Sequence, residues 1–255
     1  MYPDLFIPAH EKDFPVLPNA IRSILDFAEP RPRSVTIIAA TSSGALEAIL
    51  KPTGARFLHQ DHIIPDLPRD RMPCIRVRGE DRSGWYFQQF LKWGLALQSD
   101  QPHYLVADAD TLWIRPTQLR DGGKTVHYGT GQHHLPYFET YQKLLGHRPV
   151  RQASFIANFM LFDAGIVREL IEVIEHRTGL NWVEALLANI DRSTMSSFSE
   201  YETYGYYSSQ AHPDSSQRRN GATLNLHALL YRFHDWFSWL ARGSFHSIAY
   251  HNYRR

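Results

Sequence analysis

The chain has 255 residues, 43% hydrophobic and 21% charged, enough for one globular domain with a sizeable core. A total of 27 Lys and Arg against 26 Asp and Glu leaves a net charge of +1, so nothing pulls the chain toward nucleic acid, and the single Cys74 excludes an internal disulfide or a Cys-rich zinc site and fits a reducing compartment. No basic region followed by a long apolar stretch opens the chain, so no signal peptide is expected, and no segment reaches the ~20 apolar residues of a membrane span. Leu5-Phe6-Ile7-Pro8 is predicted as a first strand ending in the loop Ala9-His10-Glu11-Lys12-Asp13. A helix over 15–27 follows, then a second strand, Val35-Thr36-Ile37-Ile38-Ala39-Ala40, with Ser42 or Ser43 capping the next helix. Arg56-Phe57-Leu58-His59 is a third, weaker strand, and the Pro-rich stretch 65–73 reads as a surface loop. Strands alternating with helices predict an α/β fold with a mixed, mostly parallel sheet flanked by helices. No repeat or linker divides the chain, so 1–255 is taken as one domain.

Residues 84–98 are predicted as a helix with two faces. Phe87, Phe90, Leu91 and Gly94 pack on the sheet. Trp85, Gln88, Gln89 and Lys92 form a second row, and the Trp marks it as ligand-facing.

The most informative run is His103-Tyr104-Leu105-Val106-Ala107-Asp108-Ala109-Asp110, a buried strand ending in two carboxylates. Strand alternation puts Asp108 and Asp110 on one face. Ligands in open α/β sheets sit beyond the carboxyl ends of the strands. Two like charges side by side are costly unless a cation joins them, and a hard divalent ion that also holds phosphate oxygens is the natural one. Thr111-Leu112-Trp113-Ile114-Arg115-Pro116 is apolar again, so the acids interrupt a buried stretch rather than a polar loop.

Ile156-Ala157-Asn158-Phe159-Met160-Leu161-Phe162 is a later core strand, and Asp163 caps a helix that ends at Gly179. In Phe198-Ser199-Glu200-Tyr201-Glu202-Thr203-Tyr204-Gly205, Ser199 and Glu202 have capping-box spacing, which leaves Glu200 without a structural duty. Leu226, Leu229, Leu230, Phe233, Phe237 and Leu240 keep helical spacing and are predicted as a core helix, with Trp236 and Trp239 to one side. A membrane-surface role for this helix is disfavoured by its few Lys or Arg residues. A strand over 245–253 that ends in a histidine can deliver a third metal ligand, either His251 or His246. His133, His134, His59 and His62 carry no such signal.

The order of these segments resembles glycosyltransferases of the GT-A fold, which have a Rossmann-type sheet and use nucleotide-sugar donors. Within them the chain is most similar to a largely uncharacterised bacterial group linked to surface polysaccharides. The matching residues are 4–13, Gly84 to Lys92, Val106 to Asp110, Asn158 to Phe162 and Phe198 to Gly205. The resemblance implies that Asp110, partnered by Asp108, binds Mn²⁺ or Mg²⁺, with His251 preferred over His246 as a further ligand. The His-x-x-Gly-x-x-Lys-Pro-Trp pattern of related metal-dependent families is missing here. The resemblance also implies a donor pocket built from Pro8, His10, Asp13, Trp85, Gln88, Gln89, Lys92 and Asp108, with Lys92 near the phosphates. Glu200 is the candidate catalytic base of an inverting reaction and Glu202 the runner-up. The expected acceptor is a glycan or glycolipid, and the expected place is the cytoplasm, with contact at the inner face of the membrane.

Two rivals are weighed. A nucleotidyltransferase of sugar metabolism ordinarily carries a Gly-rich phosphate loop near its start, where this chain reads Pro8-Ala9-His10-Glu11. A non-catalytic carbohydrate-binding protein suits the 13% aromatic content, and predicts sugar binding without nucleotide or metal. Gly129-Thr130-Gly131 is too short for a dinucleotide fingerprint, and no Gly-x-Ser-x-Gly elbow marks a serine hydrolase.

Overall fold

The computed structural model describes residues 2–149 and 154–251. In chain order the elements used below are β1 (Asp4–Pro8), α1 (Leu17–Phe27), β2 (Ser34–Ala39), α2 (Gly44–Thr53), β3 (Arg56–His59) and α3 (Ser83–Gln98). They continue with β4 (His103–Ala107), β5 (Thr111–Trp113), β6 (Lys124–Gly129), α4 (Leu135–Leu145), β7 (Phe159–Asp163), α5 (Ala164–Thr178) and α6 (Trp182–Asn189). The last are α7 (Glu200–Ala211), β8 (Ser216–Asn220), β9 (Thr223–His227), α8 (His234–Ala241) and β10 (Ser247–His251). Asn252 and Tyr253, the end of the predicted last strand, lie outside the described residues.

The central sheet has the order β7-β4-β1-β2-β3. β4, β1, β2 and β3 run parallel, and β7 closes one edge antiparallel to β4. This is the mixed, mostly parallel sheet expected. Both faces are covered, which is why β4 reads as an unbroken apolar run. Tyr104 and Val106 pack into one core with Phe87 and Phe90 of α3, Leu170 of α5 and Tyr204 of α7. Leu105 and Ala107 point the other way, into a core with Ile21 and Ile24 of α1 and Leu46 of α2. The buried positions of α1, at Leu17, Ala20, Ile21 and Ile24, keep the i, i+3, i+4, i+7 spacing that a helix on a sheet requires. Ser43, not Ser42, caps α2 by accepting the Leu46 N–H. Asp163 caps α5 through the N–H groups of Gly165 and Ile166, and Gly179 ends it in the left-handed conformation.

Three expectations need correcting. The Pro-rich stretch is not a purely surface loop. Ile63, Ile64, Leu67 and Met72 anchor it in the core, and Gly94 lets α3 approach Ile63 and Ile64 at a distance where a Cβ would clash. The C-terminal apolar stripe is not one core helix. Residues 223–227 form β9, 228–233 a 3-10 turn and 234–241 a short α8, so a single helical period does not apply. Leu229, Phe233 and Leu240, placed in the core by that period, are exposed. Finally, β4 stops at Ala107, and Asp108-Ala109-Asp110 is a turn in which the Thr111 N–H returns to the Asp108 carbonyl. Strand alternation therefore does not govern the two acids.

β10 lies between β9, with which it runs parallel, and β5, to which it is antiparallel. Ser247, Ile248 and Ala249 stand opposite Trp113, Leu112 and Thr111. One step further, the Tyr250 N–H meets the Asp110 carbonyl at 2.9 Å. This register carries the last described residue to the Asp-x-Asp turn.

Candidate active site

The carboxyl ends of β1 and β4 meet at one edge of the sheet, and the site is built there. The turn after β4 sends its two acids in different directions. Asp110 faces the C-terminal strand, where its Oδ2 lies 3.0 Å from Nδ1 of His251, whose Nε2 lies 2.9 Å from Oδ1 of Asn225. Burial works against a charged imidazole here, but the Asp110 carboxylate outweighs it and raises the His251 pKa. His246, the other candidate, sits at the opposite end of β10. There it packs on Tyr128, is approached by the Arg115 guanidinium, and is lowered to about 4 by burial and that cation.

Asp108 faces α3 and α7. Its Oδ1 accepts from the Lys92 ammonium at 2.9 Å, and the same ammonium donates to Glu200 Oε1 at 2.6 Å and to the Tyr201 hydroxyl at 3.1 Å. Lys92 also lies over the Tyr201 ring, 4.1 Å from its centroid. Burial opposes the ammonium charge, but the carboxylates of Asp108 and Glu200 hold it and push the pKa well up. The Asp108 side chain remains 34% exposed, so it still presents a face to a ligand. The backbone around it is fixed by Asn158, whose carbonyl accepts the Asp108 N–H at 2.8 Å.

The cluster revises three assignments. A lysine ammonium has three hydrogens, and those of Lys92 are taken by Asp108, Glu200 and Tyr201. None is left over in this arrangement, so Lys92 is turned to protein groups rather than outward as a phosphate ligand would be. Glu200 is not free of structural work, because it is the buried counter-charge of Lys92 and its N–H is held by Gln89 Oε1. A carboxylate bound in this way is not placed to take a proton from an acceptor. Glu202 is likewise buried. Ser199 does cap the helix through the Glu202 N–H, but the Glu202 carboxylate turns to the Phe155 N–H and the Ser154 hydroxyl, and its Oε1 has no partner among the described residues.

Burial pushes the Glu202 carboxyl up to about 7, against the pull of the Phe155 and Ser154 hydrogen bonds. Since the folded pKa lies above the ordinary 4.5, the native state keeps a proton that the unfolded chain releases. Stability from this group is full below pH 4.5 and is lost as pH rises through 7. Glu202→Gln should therefore gain about 2–3 kcal/mol on the wild type between pH 4.5 and pH 8. Urea unfolding at the two pH values checks this, and parallel curves for the two proteins would refute it.

The predicted donor pocket is gathered in part. The Asp13 carboxylate accepts the His10 N–H at 3.1 Å and closes the loop after β1. The loop follows β1, which runs parallel beside β4, so it lies at the same end of the sheet as the Asp-x-Asp turn, and burial raises the Asp13 pKa with a contribution from the Asp110 charge. His10 is exposed there, whereas Pro8 is buried at the end of β1. On α3, Trp85 and Gln88 are half-buried while Gln89 is buried, its Oε1 accepting the Glu200 N–H and its Nε2 without a partner among the described residues. Among the described residues no group of three or more His, Cys, Asp or Glu is gathered to hold a metal ion. What the structure offers is a carboxylate–imidazole pair, Asp110 with His251, and the open face of Asp108. The donor types suit Mn²⁺, with oxygen ligands from elsewhere completing the shell.

Sequence reasoning missed the roles of Asn225 and Asn158 at this site. The signal for the buried cluster was a lone lysine inside Phe90-Leu91-Lys92-Trp93, an apolar setting that requires a counter-charge.

A family model matches residues 47–231, most of the chain. The chain belongs to the DUF6492 family, a family of unknown function. Among solved structures, this DUF6492 member is similar to apo mouse xyloside xylosyltransferase 1, with a TM-score of 0.51, 14% identity and 97% of each chain covered. It is similar also to galactosyltransferase LgtC in complex with donor and acceptor sugar analogs, with a TM-score of 0.50 and 16% identity over 97% of this chain and 86% of that one. An active-site mutant of LgtC gives a TM-score of 0.52 and 15% identity over 99% of this chain and 88% of the other. At such identities the likeness is one of fold, and the fold of the DUF6492 chain is the GT-A fold. No curated protein matches the sequence.

Proposed function

We propose that this protein is a metal-dependent glycosyltransferase that moves a sugar from a nucleoside diphosphate sugar to a glycan or glycolipid acceptor. The observation that carries the reading is the Asp-x-Asp turn at the carboxyl edge of the sheet with His251 brought to Asp110 at 3.0 Å. Asp110 and His251, with the open face of Asp108, would hold Mn²⁺ or Mg²⁺. Such an ion supplies positive charge for the diphosphate leaving group. The exposed His10 and the Asp13 loop are suited to the base and ribose, and Trp85 with Gln88 to the far wall of the donor pocket. Lys92 and Glu200 keep Asp108 in place from behind. Among the described residues no helix is long and apolar enough to cross a membrane. We assign the reaction to surface-polysaccharide synthesis on the cytoplasmic side, on the strength of the sequence resemblance.

Calorimetric titration with UDP, with and without Mn²⁺, separates this reading from a carbohydrate-binding module. UDP should bind, and more tightly with the metal. Screening nucleotide sugars for metal-dependent hydrolysis then names the donor. Heat from glycans alone, with none from UDP under either condition, would reject the proposal.

A further inference from the structure

Five of the large apolar side chains that the fold leaves exposed fall within twelve residues. They are Leu229 (76% exposed), Phe233 (49%), Trp236 (57%), Trp239 (73%) and Leu240 (60%). The inner side of the same segment is spent on the fold. Tyr231 and His234 bond Asn19 of α1, and Ala241 is buried. The segment is thus tied to the fold on its inner side, and its outward face is left uncovered among the described residues. An exposed apolar patch of this kind marks an interaction surface.

We propose that this face, on the 3-10 turn and α8, docks on an anionic lipid bilayer. Tryptophan combines an apolar body with a polar N–H and favours the boundary between headgroups and acyl chains. α8 itself carries no Lys or Arg, the feature that disfavours a membrane role when the segment is read as one helix. In the fold, however, Arg232 and Arg242 stand exposed just outside its two ends and Asp235 is the single acid in residues 221–251, so the rim of the face is net positive and complements anionic headgroups. The helix has eight residues and is about 12 Å long, too short to span a bilayer and suited to lying in its surface. A second copy of the chain fits less well, since a stable dimer buries about 800 Å² on each partner and two turns of helix offer far less. The face also adjoins β9 and β10, which carry Asn225 and His251, so docking brings the Asp-x-Asp edge close to the lipid surface.

Flotation of the full chain with phosphatidylcholine vesicles, with and without phosphatidylglycerol, tests the proposal. The protein should float with the anionic vesicles and show a blue shift of tryptophan emission. Trp236→Ser/Trp239→Ser should lower the partition at least about tenfold, and Leu240→Glu, which keeps both tryptophans, should lower it also. Arg232→Gln/Arg242→Gln should erase the preference for phosphatidylglycerol. Thermal melting confirms that each variant is folded. No flotation of the wild type, or flotation unchanged in the folded Trp and Leu variants, overturns the assignment. So does a lipid-free dimer, seen by light scattering, that the Trp variant dissolves. UDP titration of the same variants reads the donor site separately, so the two proposals can fail independently.

Discussion

Lys92→Met is expected to destabilise the fold by about 3–5 kcal/mol, the cost of removing one partner from a buried ion pair. Methionine fills the space of the lysine stem, so packing in the α3 core is largely kept. What is lost is the charge between Asp108 and Glu200, both of which bond the ammonium. Glu200 is buried, with its side chain 4% exposed, and cannot turn to water for compensation. Adding Glu200→Gln removes the stranded carboxylate, so the double variant should be more stable than Lys92→Met alone, although each single change is destabilising. Urea unfolding of the four proteins in the cycle measures the coupling. Additive losses would mean that Lys92 and Glu200 do not act as a pair. Measured UDP affinity in the double variant then tells whether Asp108 needs the ammonium to stay oriented.

Asp110→Ala should abolish the Mn²⁺ enhancement of UDP binding, a loss of at least about 100-fold, the upper end of what even indirect support of a metal ligand commands. The fold should survive. The Asp110 side chain bonds His251 and, at 3.3 Å, the Thr111 hydroxyl, so its removal costs about 1–2 kcal/mol. Circular dichroism and calorimetry on the same sample distinguish the two effects. An unchanged Mn²⁺ dependence in a folded Asp110→Ala protein would remove the metal from the proposal. His246→Ala is the matched control, since His246 lies at the far end of β10 beside Arg115.

Much of this architecture is legible in the sequence because its causes are local. The alternating cores above and below β4 follow from the run Tyr104 to Ala107, and the caps at Ser43 and Asp163 follow from side chains that reach N–H groups two or three residues on. The approach of His251 to Asp110 is also legible, from the strand pattern that ends Ala249-Tyr250-His251 and from a family resemblance, whereas the turn that parts Asp108 from Asp110 is not, since strand alternation put the two acids on one face. What is not legible depends on packing across the chain. Glu200 looked idle because its partner, Lys92, is 108 residues away and meets it only when α7 packs beside α3. Lys92 reads as a phosphate ligand in the sequence because its three partners lie outside its own helix, two on α7 and one in the Asp-x-Asp turn. The apolar residues near 230 keep a helical period through a strand, a 3-10 turn and a short helix, so the period points three of them inward that the fold turns outward.

His251 reaches Asp110 across 141 residues of sequence. During synthesis the carboxylate therefore emerges long before its imidazole, and the pair cannot exist until nearly all of the described chain has been made and β10 has slotted between β5 and β9. Every earlier fragment holds the acids without the histidine. The last strand is thus a completion step, joined to α8 by the exposed residues Arg242, Gly243 and Ser244. A nick there would leave the central sheet and its two cores covalently whole while severing the peptide link that delivers His251. Site assembly and sheet assembly can in this way be timed as separate events, by pulse-labelled proteolysis in a protein whose bulk fold looks finished by either measure.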